Sequence, residues 1–366
     1  MNNIQVDLGD IKYPVLIGPN IIDKFCDNFE SVGGKGEIYF IIDEVVFKKH
    51  FDSFTKIISK LDASVFCLPA GKANKTFASA MSIFADLNAK NISRDSTIIA
   101  VGGGVIGDLA GFISSCWYRG VRLIHFPTTL LSAVDSCLGG KTAINFRDTV
   151  NAIGTYHHPI AIFIDTNVLF GLPEREVSSG FGEIIKYSVL GASDITALLE
   201  DDNPLTVDTF GQIIGHSLIT KEKFVKNDVM ESEKRLCLNF GHTIGHAIEF
   251  STIYNGEETL RHGEGVALGM VAISRICISL NFLSEEDLVR LLKLLKKFGL
   301  PTSFKASCID MNREVLVRKI VDLAFKDKKR TSDSLRLVVA KGWGFPDIYP
   351  TNDRNLIEMG VKEVIL

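Results

Sequence analysis

The stretch STIIAVGGGVIGDLAGF, residues 96–112, leaves few folds open to the chain. An apolar segment of strand character runs into Gly102-Gly103-Gly104, and a helix is expected to begin near Val105 with Gly107 and Asp108 in its first turns. Gly102, Gly104 and Gly107 satisfy G-x-G-x-x-G in the strand-turn-helix context that the pattern requires. Glycine there allows a tight turn and lets a phosphate approach backbone N–H groups at the positive end of a helix. Upstream, EIYFIID (37–43) and ASVFCLP (63–69) read as strands on either side of a helix from Phe47 to Leu61. Strand, helix, strand at that spacing is a βαβ unit and implies a parallel sheet. IQVDLGDIKYPVLIG, from Ile4, adds two short strands around a turn at Gly9-Asp10. The usual dinucleotide fingerprint puts an acid at the end of the strand after the glycines. The next strand here, VRLIHF (121–126), has none, and Asp43 ends a strand upstream instead. On position alone Asp43 is either a ribose ligand or a helix N-cap. The pattern is that of a variant nucleotide-binding domain.

After that strand, PTTLLSAVDSCLGGKTAINFRDTVNAIGTYHHP (127–159) places Thr128 and Thr129 where they cap a helix or meet cofactor hydroxyls. Asp135, Lys141 and Asn151 lie around Gly139-Gly140 and make either an anion pocket or a set of solvated loop charges. IAIFIDT (160–166) closes the α/β part, GLPERE (171–176) reads as a hinge, and helical patterns dominate beyond it. A chain of 366 residues is long for one core, so two domains are expected, 1–171 and 172–366.

The helical half holds LNFGHTIGHAIEF, where Asn239, His242 and His246 recur at spacings of three and four and would share one helical face. Arg235 lies four residues before Asn239 and extends the row. His262 follows His246 by sixteen residues, beyond a polar loop, NGEETLR, that can return it to that face. Two imidazoles from a helix, one from the next segment and a carboxylate from elsewhere make an N/O site suited to zinc or a similar divalent ion. The net charge of −4 gives no argument for nucleic acid or an anionic membrane. Seven cysteines without a CxxC pair suggest reduced thiols, and no apolar run reaches membrane-spanning length. With no basic, apolar leader at its start, the chain reads as a soluble cytoplasmic protein.

GGGVIGDLAGF, PTTLL, VDS-x-x-GGKTAIN, GFGEIIKY, LNFGHTIGHAIE and HGEGVALGM stand in the order and spacing of the 3-dehydroquinate synthases, and from about residue 37 to 330 the chain resembles that family of sugar phosphate cyclases. The resemblance implies an N-terminal NAD-binding α/β domain, a mainly α-helical C-terminal domain carrying the metal and the substrate, an active site in the cleft between them, and a homodimer. It implies conversion of 3-deoxy-D-arabino-heptulosonate 7-phosphate to 3-dehydroquinate and phosphate, by transient oxidation, elimination, reduction and aldol closure. The metal, zinc or cobalt, would be held by Glu183, His242 and His262, leaving His246 for substrate or water. Lys186 would be the charge partner of Glu183. Lys221, Arg235 and Asn239 would hold the substrate carboxylate and hydroxyls. Lys141, Asn151, Asn239 and His246 would meet the phosphate, with Lys328 or its neighbour Lys329, and Arg119 would reach the phosphate of the other subunit. NAD would contact Asp43, Lys75, Gly103, Gly104, Val105, Asp108, Thr128, Thr129, Asp135 and Lys141.

Three positions depart from the family's pattern. Val150 stands where a lysine is usual, Lys72 replaces an acid, and Val45 replaces an asparagine after Asp43. Each removes or reverses a polar contact, and an unmade hydrogen bond to a charge costs about 1.5–3 kcal/mol. Asn239 is retained, which favours dehydroquinate synthase over cyclases acting on glucose or sedoheptulose phosphates. The alternatives are a secondary-metabolism cyclase, of the 2-deoxy-scyllo-inosose synthase or aminodehydroquinate synthase type, and a metal-dependent polyol dehydrogenase.

Overall fold

The structure, a computed structural model, describes residues 2–69, 71–147, 149–226, 228–326 and 334–366. Contacts divide the chain into two compact units, one of residues 1–173 with 204–230, the other of residues 174–203 with 231–366. A single cut after residue 171 therefore differs from the observed division, because the segment 204–230 returns to the first unit.

The strands of the first unit are β1 (Asn2–Asp7), β2 (Lys12–Gly18), β3 (Ile38–Asp43), β4 (Ser64–Leu68), β5 (Thr97–Gly102), β6 (Arg122–Pro127), β7 (Lys141–Phe146), β8 (Thr149–Tyr156) and β9 (Ala161–Asp165). Seven of them form one sheet in the order β1-β2-β9-β6-β5-β3-β4, with β1 antiparallel to β2 and all other pairs parallel. Side chains alternate across the sheet. Tyr39, Ile41, Ile98 and Ala100 enter one apolar core, while Phe40, Ile42, Ile99 and Val101 enter the other. Strands buried on both faces need helices on both faces. These are α1 (Ile21–Phe29), α2 (Glu44–Lys49), α3 (Phe51–Lys60), α4 (Phe77–Ala89) and α5 (Gly104–Cys116), with the short α6 (Thr166–Phe170) after β9. The helix expected over 47–61 is two helices, since His50 (φ −118°, ψ 34°) leaves the helical region between them. The loop expected around Gly139-Gly140 runs into the antiparallel hairpin β7–β8, outside the main sheet.

Helices α7 (Glu174–Val189) and α8 (Ser193–Glu200) begin the second unit before the chain returns to the first for α9 (Val207–Val225). Phe210, Ile213, Ile214 and Leu218 bury one face of α9, and its Gly215 leaves room for Ile4 of β1. That packing brings Lys221, near the end of α9, to the helical segment Ser132–Ser136.

The second unit continues with α10 (His242–Ser251), α11 (His262–Ser279), α12 (Glu285–Lys297), α13 (Arg313–Ala324), the hairpin β10 (Leu335–Ala340) and β11 (Pro346–Thr351), and α14 (Arg354–Val364). α11 is apolar or small on nearly every side and buried along most of its length, as the central helix of a bundle must be. Among the described residues no helix is long and apolar enough to cross a membrane.

Candidate active-site residues in the two units

In the second unit the site is set by how closely three helix backbones approach. A Cβ on Gly263 would lie 1.8 Å from the Ser179 carbonyl oxygen, and one on Gly182 would lie 2.5 Å from that of Gly263. α7 and α11 thus touch backbone to backbone, with Glu183 beside His262. Between α10 and α11 a Cβ on Gly269 would lie 1.9 Å from the Gly241 carbonyl oxygen. Only glycine fits there, and the rings of His242, at the start of α10, and His262, at the start of α11, come to 5.4 Å between centroids.

The result is a convergence on one carboxylate oxygen. Glu183 Oε1 lies 3.2 Å from His242 Nε2 and 3.3 Å from His262 Nε2. Two ligand atoms about 2.1 Å from one tetrahedral zinc ion are roughly 3.4 Å apart, so the three side chains fit a shared divalent ion. The ligand nitrogens of His242, His246 and His262 all lie within 4.8 Å of one another, which makes His246 a third imidazole at the same place. The far nitrogens are engaged too. His242 Nδ1 is 3.1 Å from the Phe240 carbonyl oxygen, and His262 Nδ1 is 3.4 Å from Glu249 Oε2. Imidazoles oriented in this way present Nε2 lone pairs, as metal ligands do. His246 makes no hydrogen bond or ion pair with any described residue.

The same side chains set one another's charge. Glu183 is fully buried, which opposes its charge, but Lys186 and the two histidines hold its carboxyl well below the usual range. Lys186, on the same face of α7 and itself 1% exposed, is ion-paired with Glu183 Oε2. Burial opposes the charged form of His262, yet Glu183 and Glu249 raise its pKa to about 9. Burial, then the neighbouring histidines, push His246 down to about 3 and keep it neutral.

The single polar face expected from Arg235 to His246 is corrected by the structure. Arg235 and Asn239 belong to a 3₁₀ segment, Lys234–Asn239, and α10 starts only at His242, after Gly241 in the left-handed region (φ 78°). The tight approach of α11 forces that break. Arg235 is 2% exposed, and Asn239 donates to Glu231 Oε1 at 3.3 Å. Glu231 and Glu249 were missed by sequence reasoning. Glu249 sits seven residues after His242 on one helix, a spacing that could have revealed it. Lys328 and Lys329 lie outside the described residues.

In the first unit the expected nucleotide residues gather at strand ends. α5 begins at Gly104 with Gly103 as its N-cap, one residue earlier than expected, and Val105 lies in its first turn. A Cβ on Gly103 would meet Thr129 Cγ2 at 2.9 Å, while the Thr128 N–H donates to the Gly102 carbonyl at 3.0 Å. The Thr128 hydroxyl is buried without a hydrogen-bond partner among the described residues, and Thr129 Oγ1 accepts from the Ser132 N–H at 3.2 Å. The sheet reverses its winding direction between β3 and β5, so the switch-point crevice lies between Asp43 and the glycine turn. The acid-bearing strand neighbours the glycine strand, as in an ordinary dinucleotide fold. Only their order in the chain is exchanged, which is why the fingerprint looked incomplete. Asp43 also caps α2, accepting from the Val45 and Val46 N–H groups at 2.8 and 3.3 Å.

Lys75 Nζ lies 2.5 Å from Asp108 Oδ2 and 2.5 Å from Asn151 Oδ1, bringing three expected residues together. Burial raises the Asp108 carboxyl above its ordinary value even though Lys75 opposes this. Lys221 Nζ is paired with Asp135 Oδ1 at 2.8 Å. Lys141 is exposed at the start of β7, and exposed Arg119 follows Tyr118 in the left-handed region (φ 66° and 46°). Val45 and Val150, two of the departures, are 60% and 49% exposed.

A parallel sheet with a glycine turn at its switch point, followed by a helical bundle, defines an architecture that cyclases and polyol dehydrogenases share. 2-Deoxy-scyllo-inosose synthase, solved with carbaglucose-6-phosphate, NAD+ and Co2+, matches with a TM-score of 0.82 at 26% identity, covering 99% of this chain and 100% of that one. The Schizosaccharomyces pombe glycerol dehydrogenase shares the fold, with a TM-score of 0.65 at 16% identity over 96% of this chain and 88% of that one. Sequence separates the two. Residues 65–179 match the family described as 3-dehydroquinate synthase N-terminal, and residues 180–330 match 3-dehydroquinate synthase C-terminal. The 3-dehydroquinate synthase of Dictyoglomus thermophilum is 36% identical over 95% of this chain and 94% of its own length. That of Methylococcus capsulatus is 36% identical over 94% of each. The chain belongs to the 3-dehydroquinate synthase family.

Proposed function

We propose that this chain converts 3-deoxy-D-arabino-heptulosonate 7-phosphate to 3-dehydroquinate and phosphate, as a lyase that needs NAD and a divalent metal, zinc or cobalt. The observation that supports this most directly is the convergence of Glu183, His242 and His262 in a chain that matches 3-dehydroquinate synthases over nearly their full length. When bound, the nicotinamide supplies a reversible hydride acceptor and the divalent ion a Lewis acid for the substrate alcohol, which a transient oxidation with phosphate loss requires.

The chain's own residues do the positioning. Glu183, His242 and His262 hold the ion, and Lys186 balances the carboxylate in a site too buried for water to do so. His246, held neutral and hydrogen-bonded to none of the described residues, is left to accept a hydrogen bond from substrate or from a water. Arg235 and Asn239 offer donors to the substrate carboxylate and hydroxyls. The glycine turn, Thr128 and Asp43 bind the dinucleotide, while Lys75, Asp108 and Asn151 form a preorganised charged set beside it. Lys141 meets the phosphate. The enzyme works as a cytoplasmic homodimer, with exposed Arg119 reaching the partner's phosphate and no role for nucleic acid or membrane. The free thiols of all seven cysteines suit that reducing compartment.

The test is incubation with the heptulosonate phosphate, NAD and zinc, following phosphate and NADH together. Stoichiometric phosphate with no net NADH is expected. One NADH per turnover would make the chain a dehydrogenase, and phosphate release only from a hexose phosphate would make it a different cyclase.

A further inference from the structure

We infer that Glu249 is a positioning residue of the metal site, setting the tautomer and ring plane of His262; this rests on the reading that Glu183, His242 and His262 hold the ion. When Nε2 of a histidine faces a metal, its one ring proton sits on Nδ1 and needs an acceptor. For His242 that acceptor is the Phe240 carbonyl, two residues earlier in the same chain segment and fixed by the start of α10. For His262 no backbone carbonyl of the described residues takes this place. Its Nδ1 faces Glu249 Oε2 at 3.4 Å, on the neighbouring helix.

The fold spends several constraints on this contact. Glu249 is buried, 9% exposed, about two turns from His242 on the same face of α10. A Cβ on Gly245 would lie 2.7 Å from the Gly265 carbonyl oxygen, so α10 and α11 run close enough for the carboxylate to reach the ring. On the other side, the turn before α11 is clamped by Glu264, which accepts from Arg175 Nε and Nη2 at 2.7 and 2.8 Å and from the Arg261 N–H at 2.8 Å. The clamp fixes the backbone of His262, and Glu249 fixes its ring. α10 thereby supplies one ligand directly and aims the ligand of α11. A carboxylate behind an imidazole also makes that imidazole the more basic donor, so the two histidines of the site are unequal.

The test uses the full-length protein, with Glu249→Gln and Glu249→Ala. Gln keeps an acceptor of the same shape, and Ala removes it. Zinc affinity is read by chelator competition, and the cobalt-substituted proteins are read by their visible d–d absorption. Glu249→Ala is expected to bind zinc 10–100-fold more weakly, with a shifted cobalt spectrum, and Glu249→Gln to recover most of both. Far-ultraviolet circular dichroism and thermal unfolding of the metal-free proteins separate this from misfolding, and the Gln variant alone decides if Ala does not fold. Unchanged zinc affinity and an unchanged cobalt spectrum in Glu249→Ala, or a Gln variant as weak as Ala, would overturn the inference. If wild-type protein binds neither metal, the assignment of the ligand set fails instead.

Discussion

The two units solve the problem of placing polar groups in different ways. In the first, the expected ligand-binding elements are the backbone of the glycine turn after β5 and one carboxylate, Asp43, at the end of β3, and its other charged residues come in pairs, Lys75 with Asp108 and Lys221 with Asp135. In the second, a fully buried glutamate, a fully buried lysine and three imidazoles meet where helix backbones touch through glycine. A site made of backbone tolerates side-chain change, because any residue has an N–H. A site made of converging buried side chains does not, because removing one partner leaves another charge unpaired at several kcal/mol. Conservation of function should therefore be brittle in the second unit and graded in the first.

The largest effect is expected from Glu183→Gln, which leaves Lys186 buried without its counter-charge and takes away the shared ligand oxygen. Metal content and phosphate release should both fall to background, and a variant that retains stoichiometric zinc would remove Glu183 from the ligand set. Gly263→Ala comes next. Its Cβ meets a carbonyl oxygen at 1.8 Å, a backbone clash that no rotamer relieves, so a stability loss of about 3 kcal/mol is expected by urea unfolding, with weakened metal binding. Gly103→Ala, where the Cβ meets a threonine methyl at 2.9 Å, should weaken NAD binding while zinc affinity stays at the wild-type level. A parallel fall in both would erase the contrast between the units.

A pH dependence belongs to the first unit. Buried His125, with Gly107 of α5 above it, has its pKa lowered to about 4, by burial first and then by His157. The unfolded chain takes up this proton near pH 6.5, before the folded protein does. The stability is therefore fully present above pH 6.5 and is lost as pH falls towards 4, a change of roughly 3 kcal/mol at most. His125→Gln should flatten that part of the curve of unfolding free energy against pH, and an equally steep curve in the variant would assign it to other groups. The smallest effect is expected of Val150→Lys. At a half-exposed position an added charge contributes about 0.5–1 kcal/mol, so a phosphate or NAD affinity gain of roughly two- to fivefold should appear in titration. No gain would mean the pocket has been reshaped around valine.

Much of this was legible in the chain itself. The alternation of Tyr39 to Ile42 and Ile98 to Val101, the glycine turn and the histidine spacing are local patterns, set by strand and helix periods of two and 3.6 residues. So was the family, whose motifs carry Glu183, His242 and His262. Other features lay in no local pattern. The return of α9 to the first unit depends on an apolar face whose target is distant in sequence, and the 3₁₀ break before His242 depends on how near α11 lies. The acid-to-glycine order looked wrong along the chain because the sequence gives strand order in time, whereas the crevice depends on which strands are neighbours. Glu249 carries the same lesson at the scale of one side chain. Periodicity could place it on α10, but only the backbone contact between two glycine-bearing helices decided that its carboxylate would stand behind His262.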